Sequence, residues 1–270
     1  MNLVILLILI TGITSYRGFV DSNFFSENKF QVDGILRFKE YRRMVVSGFL
    51  HANWMHLGLN MYVLYIFADV AIAGLQGSQL GFLILYMVCL LLGNALALFI
   101  HRNHGNYSAI GASGATSGIV YAAIVFNPDM QMGLLFIPFM LPAWAFGALY
   151  MLYTIFGIKS QRDNIGHEAH LGGAAAGMIL AIVFAPRVLN THGLVLLLML
   201  VPLILFFYLI VMHPEWLLTG KIDWSKEKEL FKPRVKVSSK SLNELLEKVE
   251  RTGYDSLTDA EKRRLDELSK

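Results

Sequence analysis

The sequence predicts an all-α protein that crosses a lipid bilayer several times. Mean hydropathy is positive, at +0.52. Charged residues make up 16% of the 270, against about 25% in soluble domains. The charge is also segregated: residues 214–270 hold 13 of the 23 Lys+Arg and 12 of the 20 Asp+Glu, leaving 18 charges for the first 213 residues. These features exclude a soluble α/β enzyme and a disordered chain. A net charge of +3 offers no basic footprint for nucleic acid. The one cysteine, Cys89, sits in an apolar run, so neither a disulfide framework nor a cysteine metal site is expected.

A bilayer core of about 30 Å needs roughly 20 apolar residues per helix. Reading along the chain gives spans at 1–19, 54–74, 79–100, 110–126, 141–158, 169–186 and 193–212: six core helices and a seventh. The first ends at Arg17, which can snorkel. It lacks a basic start and a small-residue cleavage site, and so reads as a retained helix. Residues 17–53 form a long loop whose Phe24, Phe25, Phe30 and Phe38 suit the membrane interface. Asn127-Pro128-Asp129 breaks the chain after span four, and the prolines around Gly133–Met140 predict a surface or re-entrant stretch. Beyond residue 213 come a charged linker (214–240) and a helical hairpin (241–270), with capping boxes at Ser241–Glu244 and Thr258–Glu261 and a helix end at Gly253.

Polar groups within spans are costly and mark function by default. Three clusters stand out: His51, His56 and Asn60 opening span two, Ser113 and Ser117 opening span four, and His167 and His170 opening span six. Alternating spans put these three helix starts on one membrane face, within about 10 Å of its surface at 1.5 Å per residue. His56 and Asn60, at i,i+4, share a helix face. Gly114 and Gly118 on span four, and Ala169, Gly173 and Gly177 on span six, form small-residue stripes that let backbones approach. Such an approach brings Ser113 towards His170. A serine hydroxyl becomes nucleophilic when a base takes its proton, and Asn60 and His56 can donate to a tetrahedral oxyanion.

These strings resemble those of the rhomboid intramembrane serine proteases. His51-Ala-Asn-Trp-Met-His56-Leu-Gly-Leu-Asn60 is similar to the family's second-helix motif, Gly111-Ala-Ser113-Gly114 to its nucleophile motif, and Ala169-His170-Leu-Gly-Gly173 to its histidine motif. Arg43 matches its first-loop arginine. The resemblance covers residues 1–190 (a protease core) and implies a six-helix fold, a Ser113–His170 dyad without a carboxylate, and cleavage of transmembrane substrates near a helix end. Residues 191–213 would add a seventh helix, and the tail is similar to a C-terminal module of some bacterial members. It further implies oxyanion or substrate contacts by His56 and Asn60, packing roles for Arg43, Gly111, Gly114, Gly118, Gly173 and Gly177, no metal, no cofactor, and a multi-pass setting in a bacterial inner membrane. The chain departs from the family four residues after Ser113, where an aromatic residue is usual and Ser117 stands. Ser117 is followed by Tyr121 at that spacing and remains the alternative nucleophile. With no triad acid, Tyr121 or Ser117 is expected to orient the histidine.

The residues admit other readings. His167-Glu168-Ala-His170 falls one residue short of a zinc His-Glu-x-x-His motif, and a transporter should show internal repeats, which are absent. An inactive rhomboid-like protein that binds client helices is the alternative function. His51 and His167 read as structural, His101 and His104 as loop residues, and Asp69 as a hydrogen-bonded acid near the opposite interface. Orientation is left in conflict: the site-side loops carry most of the basic residues, which by the positive-inside rule faces them to the cytosol, whereas the resemblance implies an extracytoplasmic site.

Overall fold

Three of the long helices begin where a short polar side chain accepts from amides that the first turn leaves unpaired. The computed structural model describes residues 2–133, 139–160, 165–213, 246–251 and 254–257. Asn2 caps α1 (Leu3–Val20), its Oδ1 accepting from Val4 N at 3.0 Å. Asp21 follows α1 and caps α2 (Ser22–Asn28) through Phe24 N at 2.9 Å. Then come β1 (Phe30–Gln31), α3 (Val32–Leu36), α4 (Arg43–Val46) and a 3-10 turn over Ser47–Phe49. Asn53 caps α5 (Trp54–Gly74) through His56 N at 2.9 Å, and Ser78 caps α6 (Gln79–His101) through Gly81 N at 3.0 Å. β2 (Ser108–Ala109), α7 (Ser113–Phe126), β3 (Gln131–Gly133), β4 (Met140–Pro142), α8 (Ala143–Ser160), α9 (His167–Phe184) and α10 (Val188–Met212) follow. All belong to one compact unit, Met1–Phe231.

Among the described residues, seven long helices occur in the expected order. Five of them, α1, α5, α6, α9 and α10, are long and apolar enough to cross a membrane, and the chain is an all-α multi-pass membrane protein. α7 is the exception in length. Its 14 residues reach about 21 Å, short of a hydrocarbon core of about 30 Å. It does not need to face lipid, because 11 of those residues are buried among α5, α6 and α9.

Several boundaries differ from the sequence reading for local reasons. α1 continues through Arg17, whose guanidinium lies 4.1 Å over the Phe24 ring rather than ending the helix. α7 begins at Ser113 rather than 110, because Gly111 at φ +121° cannot be helical. α10 begins five residues early and kinks at His192 (φ −132°), beside the expected start. The expected surface or re-entrant stretch contains an antiparallel pairing of β3 with β4, Gln131 opposite Pro142; residues 134–138 lie outside the described residues. So do the linker, both capping boxes and Gly253. In the second unit, Lys232–Lys270, residues 246–251 are helical, Tyr254–Ser256 form a 3-10 turn and Leu257 is buried.

The closest helix contact is α7 on α9. A Cβ added at Gly173 would strike the Gly114 carbonyl oxygen, and one at Gly177 the Gly118 carbonyl oxygen. In lipid no hydrophobic drive pulls helices together, so such backbone approach carries the association. Gly173→Leu should therefore lower thermal stability in detergent sharply, since overpacking a fixed contact costs about 1–3 kcal/mol or more. Gly58→Ala, on an open face of α5 with nothing within 4 Å, should leave the melting temperature unchanged or raise it.

Candidate active site

The segment entering α7 is held by the loop between α1 and α5. Arg43, almost fully buried, is the centre of that loop: its Nε donates to Glu40 Oε2 at 2.7 Å and its Nη1 to the Ser26 and Lys29 carbonyls at 2.9 and 2.8 Å. Asn94 of α6 donates to the Met44 carbonyl at 2.8 Å, tying the loop to the bundle. β1 pairs antiparallel with β2, Phe30 opposite Ala109, and Gly111 N–H donates to the Ser47 carbonyl at 3.0 Å.

His51 extends this bracing to the next residue. Ser15 of α1 donates its hydroxyl proton to the Phe49 carbonyl at 2.8 Å, so at 2.9 Å it accepts from His51 Nδ1–H. His51 Nε2 is then left as an acceptor, and Ala112 N–H donates to it at 3.3 Å. A fully buried imidazole in this role must be neutral. Burial, and secondarily the neighbouring His56, lower its pKa from 6.5 to about 3.

His56 and Asn60 face the same entrance from α5. Ala52 N–H donates to His56 Nδ1 at 3.4 Å, so the ring proton sits on Nε2. A Cβ at Gly111 would lie 3.0 Å from that Nε2 and 3.7 Å from Ser113 Oγ. Gly111 is thus a notch between a serine hydroxyl and an imidazole donor. Asn60 donates one amide hydrogen to the His56 carbonyl at 2.9 Å, and its Oδ1 accepts from Thr116 at 3.2 Å. The fixed amide keeps a second hydrogen. Ser113 is the first residue of α7 and partly exposed, so its own N–H has no partner within the helix.

From α9, Ala169 rests against Gly114, whose added Cβ would lie 3.1 Å from the Ala169 carbonyl oxygen. Ser113 and His170 adjoin that contact in sequence. His170 Nδ1 lies 3.0 Å from the Tyr150 hydroxyl of α8. Ser117 lies one turn deeper and is 9% exposed. Tyr121, expected as an orienting residue, instead donates to the Gly147 carbonyl at 2.6 Å.

The other histidines are more engaged than the sequence suggested. His101 is buried at the end of α6, 3.0 Å from Glu168 Oε1 and stacked on Tyr107 at 3.5 Å between centroids. It is a buried helical residue and not the plain loop residue that the sequence predicts. His167 is buried against Tyr153 and the Gly157 backbone. A cavity of about 550 Å³ lies at the other ends of the helices, lined by Asp69, Gly74, Phe126, Asn127 and Arg187. Asp69 is exposed there. The structure thus gathers His51, His56, Asn60 and Ser113 at one face, with His170 beside the α7–α9 contact. The sequence reading missed Ser15, Thr116, Glu168 and Tyr150. Tyr150 carried a signal, because a phenol in a span needs a partner for its hydroxyl.

The lowered His51 pKa has a defined sign. Below pH 6.5 the unfolded histidine takes a proton that the folded one refuses, so the His51 contribution falls between pH 6.5 and about 3, by up to about 1.4 kcal/mol per pH unit. His51→Gln should lower the melting temperature at pH 7.5, and the gap to the parent protein should narrow at pH 4.5. A gap that widens at low pH would show that the imidazole is charged in the fold.

A family model described as Rhomboid domain matches residues 39–187. A second model, a family of unknown function (DUF6576), matches residues 234–270. Over 141 residues the chain is 29% identical to the human presenilin-associated rhomboid-like protein, mitochondrial, covering 50% of this chain and 36% of that protein. It is 32% identical over 152 residues to the RHOMBOID-like protein 12, mitochondrial, of Arabidopsis thaliana (50% and 44%), and 26% over 172 residues to its chloroplastic rhomboid-like protein 11 (58% and 59%). The match spans only about a third to three-fifths of these relatives' lengths. The family model covers more than half of the chain and includes every residue of the site described above except Ser15, Ser26, Lys29 and Phe30: the chain belongs to the rhomboid family.

Proposed function

We propose that this protein is an intramembrane serine endopeptidase that cleaves transmembrane helices of membrane-protein substrates through a Ser113–His170 dyad. The observation that carries the reading is the notch at Gly111, where the Ser113 hydroxyl, at the first position of α7, faces the Nε2 donor of His56. Family membership and the setting within a bundle of apolar helices support it. The proposed setting, a bacterial inner membrane, rests on the tail's resemblance to a C-terminal module of some bacterial members.

The chemistry follows from the groups present. His170 Nε2 takes the Ser113 proton as Oγ attacks the carbonyl carbon of a locally unwound substrate segment. The oxyanion is held by His56 Nε2–H, the second Asn60 amide hydrogen and Ser113 N–H. Collapse expels the amine, which takes the proton from His170, and leaves an ester on Ser113. Water, deprotonated by His170, then attacks that ester, and collapse releases the acid as His170 returns the proton to Ser113 Oγ. These donors are fixed before substrate arrives: Asn60 by Thr116 and the His56 carbonyl, His56 by Ala52. Such preorganisation is what makes them effective where charge develops.

Ser117 is less suited to attack. It is buried one turn deeper, whereas Ser113 is partly exposed beside His56. In reconstituted vesicles carrying a single-pass substrate, Ser113→Ala and His170→Ala should each abolish cleavage. Asn60→Ala should lower kcat by about 10²–10³, as expected for one oxyanion donor, with the melting temperature as a control for folding. Cleavage by a folded Ser113→Ala variant would rule out the proposed nucleophile. Absence of cleavage by the unaltered protein, with client helices still bound, would instead favour a non-catalytic role.

A further inference from the structure

A histidine that takes a proton from serine through Nε2 must carry its own proton on Nδ1, and that proton needs an acceptor. In serine hydrolases the acceptor is commonly a carboxylate, which fixes tautomer and ring orientation together. The His170 Nδ1 lies 3.0 Å from the phenol oxygen of Tyr150, one helix away on α8.

We infer that Tyr150 is the positioning residue for His170: its oxygen accepts Nδ1–H, so that Nε2 is held as the lone-pair nitrogen facing Ser113. The inference rests on the proposed Ser113–His170 dyad and deepens it.

Three observations support this arrangement. The two rings are nearly parallel, 26° apart with centroids 6.4 Å apart, so the phenol meets the imidazole edge in its plane, where a ring N–H points. The Tyr150 ring is itself held, stacked on Phe146 at 14° and 6.4 Å on the same helix. Finally, α8 and α9 are in contact, so the pairing is built into the helix packing.

A phenol holds less charge than a carboxylate. It cannot stabilise the imidazolium as an anion would, so its contribution is tautomer and orientation. That separates it from a residue that only fills space: Tyr150→Phe keeps the ring, its stacking and nearly all its volume, and removes only the acceptor.

The test uses the purified full chain in detergent and a fluorophosphonate probe. Tyr150→Phe should label at about a tenth of the parent rate or less, in keeping with the share that a well-presented general base supplies, with an unchanged melting temperature and the adduct on the same serine. Selectively 15N-labelled histidine, with the His170 signals identified by their loss in His170→Ala, should show the parent ring protonated on Nδ1. A Tyr150→Phe labelling rate within twofold of the parent overturns the proposal. So does a parent spectrum with the His170 proton on Nε2, a result that needs no variant to fold. If Ser113→Ala or His170→Ala labels as fast as the parent, the dyad reading itself fails. If both lose labelling while Tyr150→Phe does not, only the role of Tyr150 falls.

Discussion

The backbone-to-backbone contact of α7 with α9 is the constraint from which the rest of the structure follows. Gly173 lies on the Gly114 carbonyl and Gly177 on the Gly118 carbonyl, with no room for a side chain. The contact makes α7 a central helix, walled in on its α5, α6 and α9 sides. A helix so enclosed can be short and can begin below the membrane surface, and that depth is what puts Ser113 at a helix start inside a bundle of apolar helices. The same approach brings the α9 residues next to His170 against those next to Ser113. A bulky stripe would move the two side chains apart, and the proposed proton transfer between them would fail.

Around this crossing, the polar groups are bound in chains that leave few alternatives. His51 joins α1 to the α7 entrance through Ser15 and Ala112; Arg43 and Asn94 hold the loop in between. Each bond removes a donor or acceptor that would otherwise be unsatisfied in a low-dielectric surrounding, where such a group is expensive. Tautomers are then decided by neighbours. His51 is protonated on Nδ1 because Ser15 has given its proton to Phe49, and His56 on Nε2 because Ala52 donates to Nδ1. Rigid bracing of the α7 entrance and fixed donors at His56 and Asn60 are two outcomes of the same accounting.

Much of this was legible in the sequence because a polar side chain in an apolar span stands out. His56 and Asn60 at i,i+4, Ser113 after Gly111, and His170 before Gly173 could be read from spacing alone, and the parity of the spans put them on one face. The rest depended on pairings between distant elements that carry no local pattern. Tyr150 counts as an aromatic in a hydrophobic helix until the α8–α9 contact reveals the nitrogen it meets. His101 read as a loop residue because Glu168, 67 positions away, is its partner only in the fold. The short α7 was misjudged at its start, where Gly111 takes a positive φ, and the β3–β4 pairing has too few residues to show an alternation. Burial and phenol pKa also follow from neighbours: Tyr107 outside the spans is pushed above its ordinary value by burial and then by Glu168.

The central claim is that Ser113 is a nucleophile activated by His170, and the most direct measurement is the site of covalent modification. Purified protein would be treated with a fluorophosphonate and the adduct located by tandem mass spectrometry, in parallel with His170→Ala. The account predicts a single adduct on Ser113 that disappears in the variant. An adduct on Ser117, or none on a protein that melts cooperatively, would contradict it.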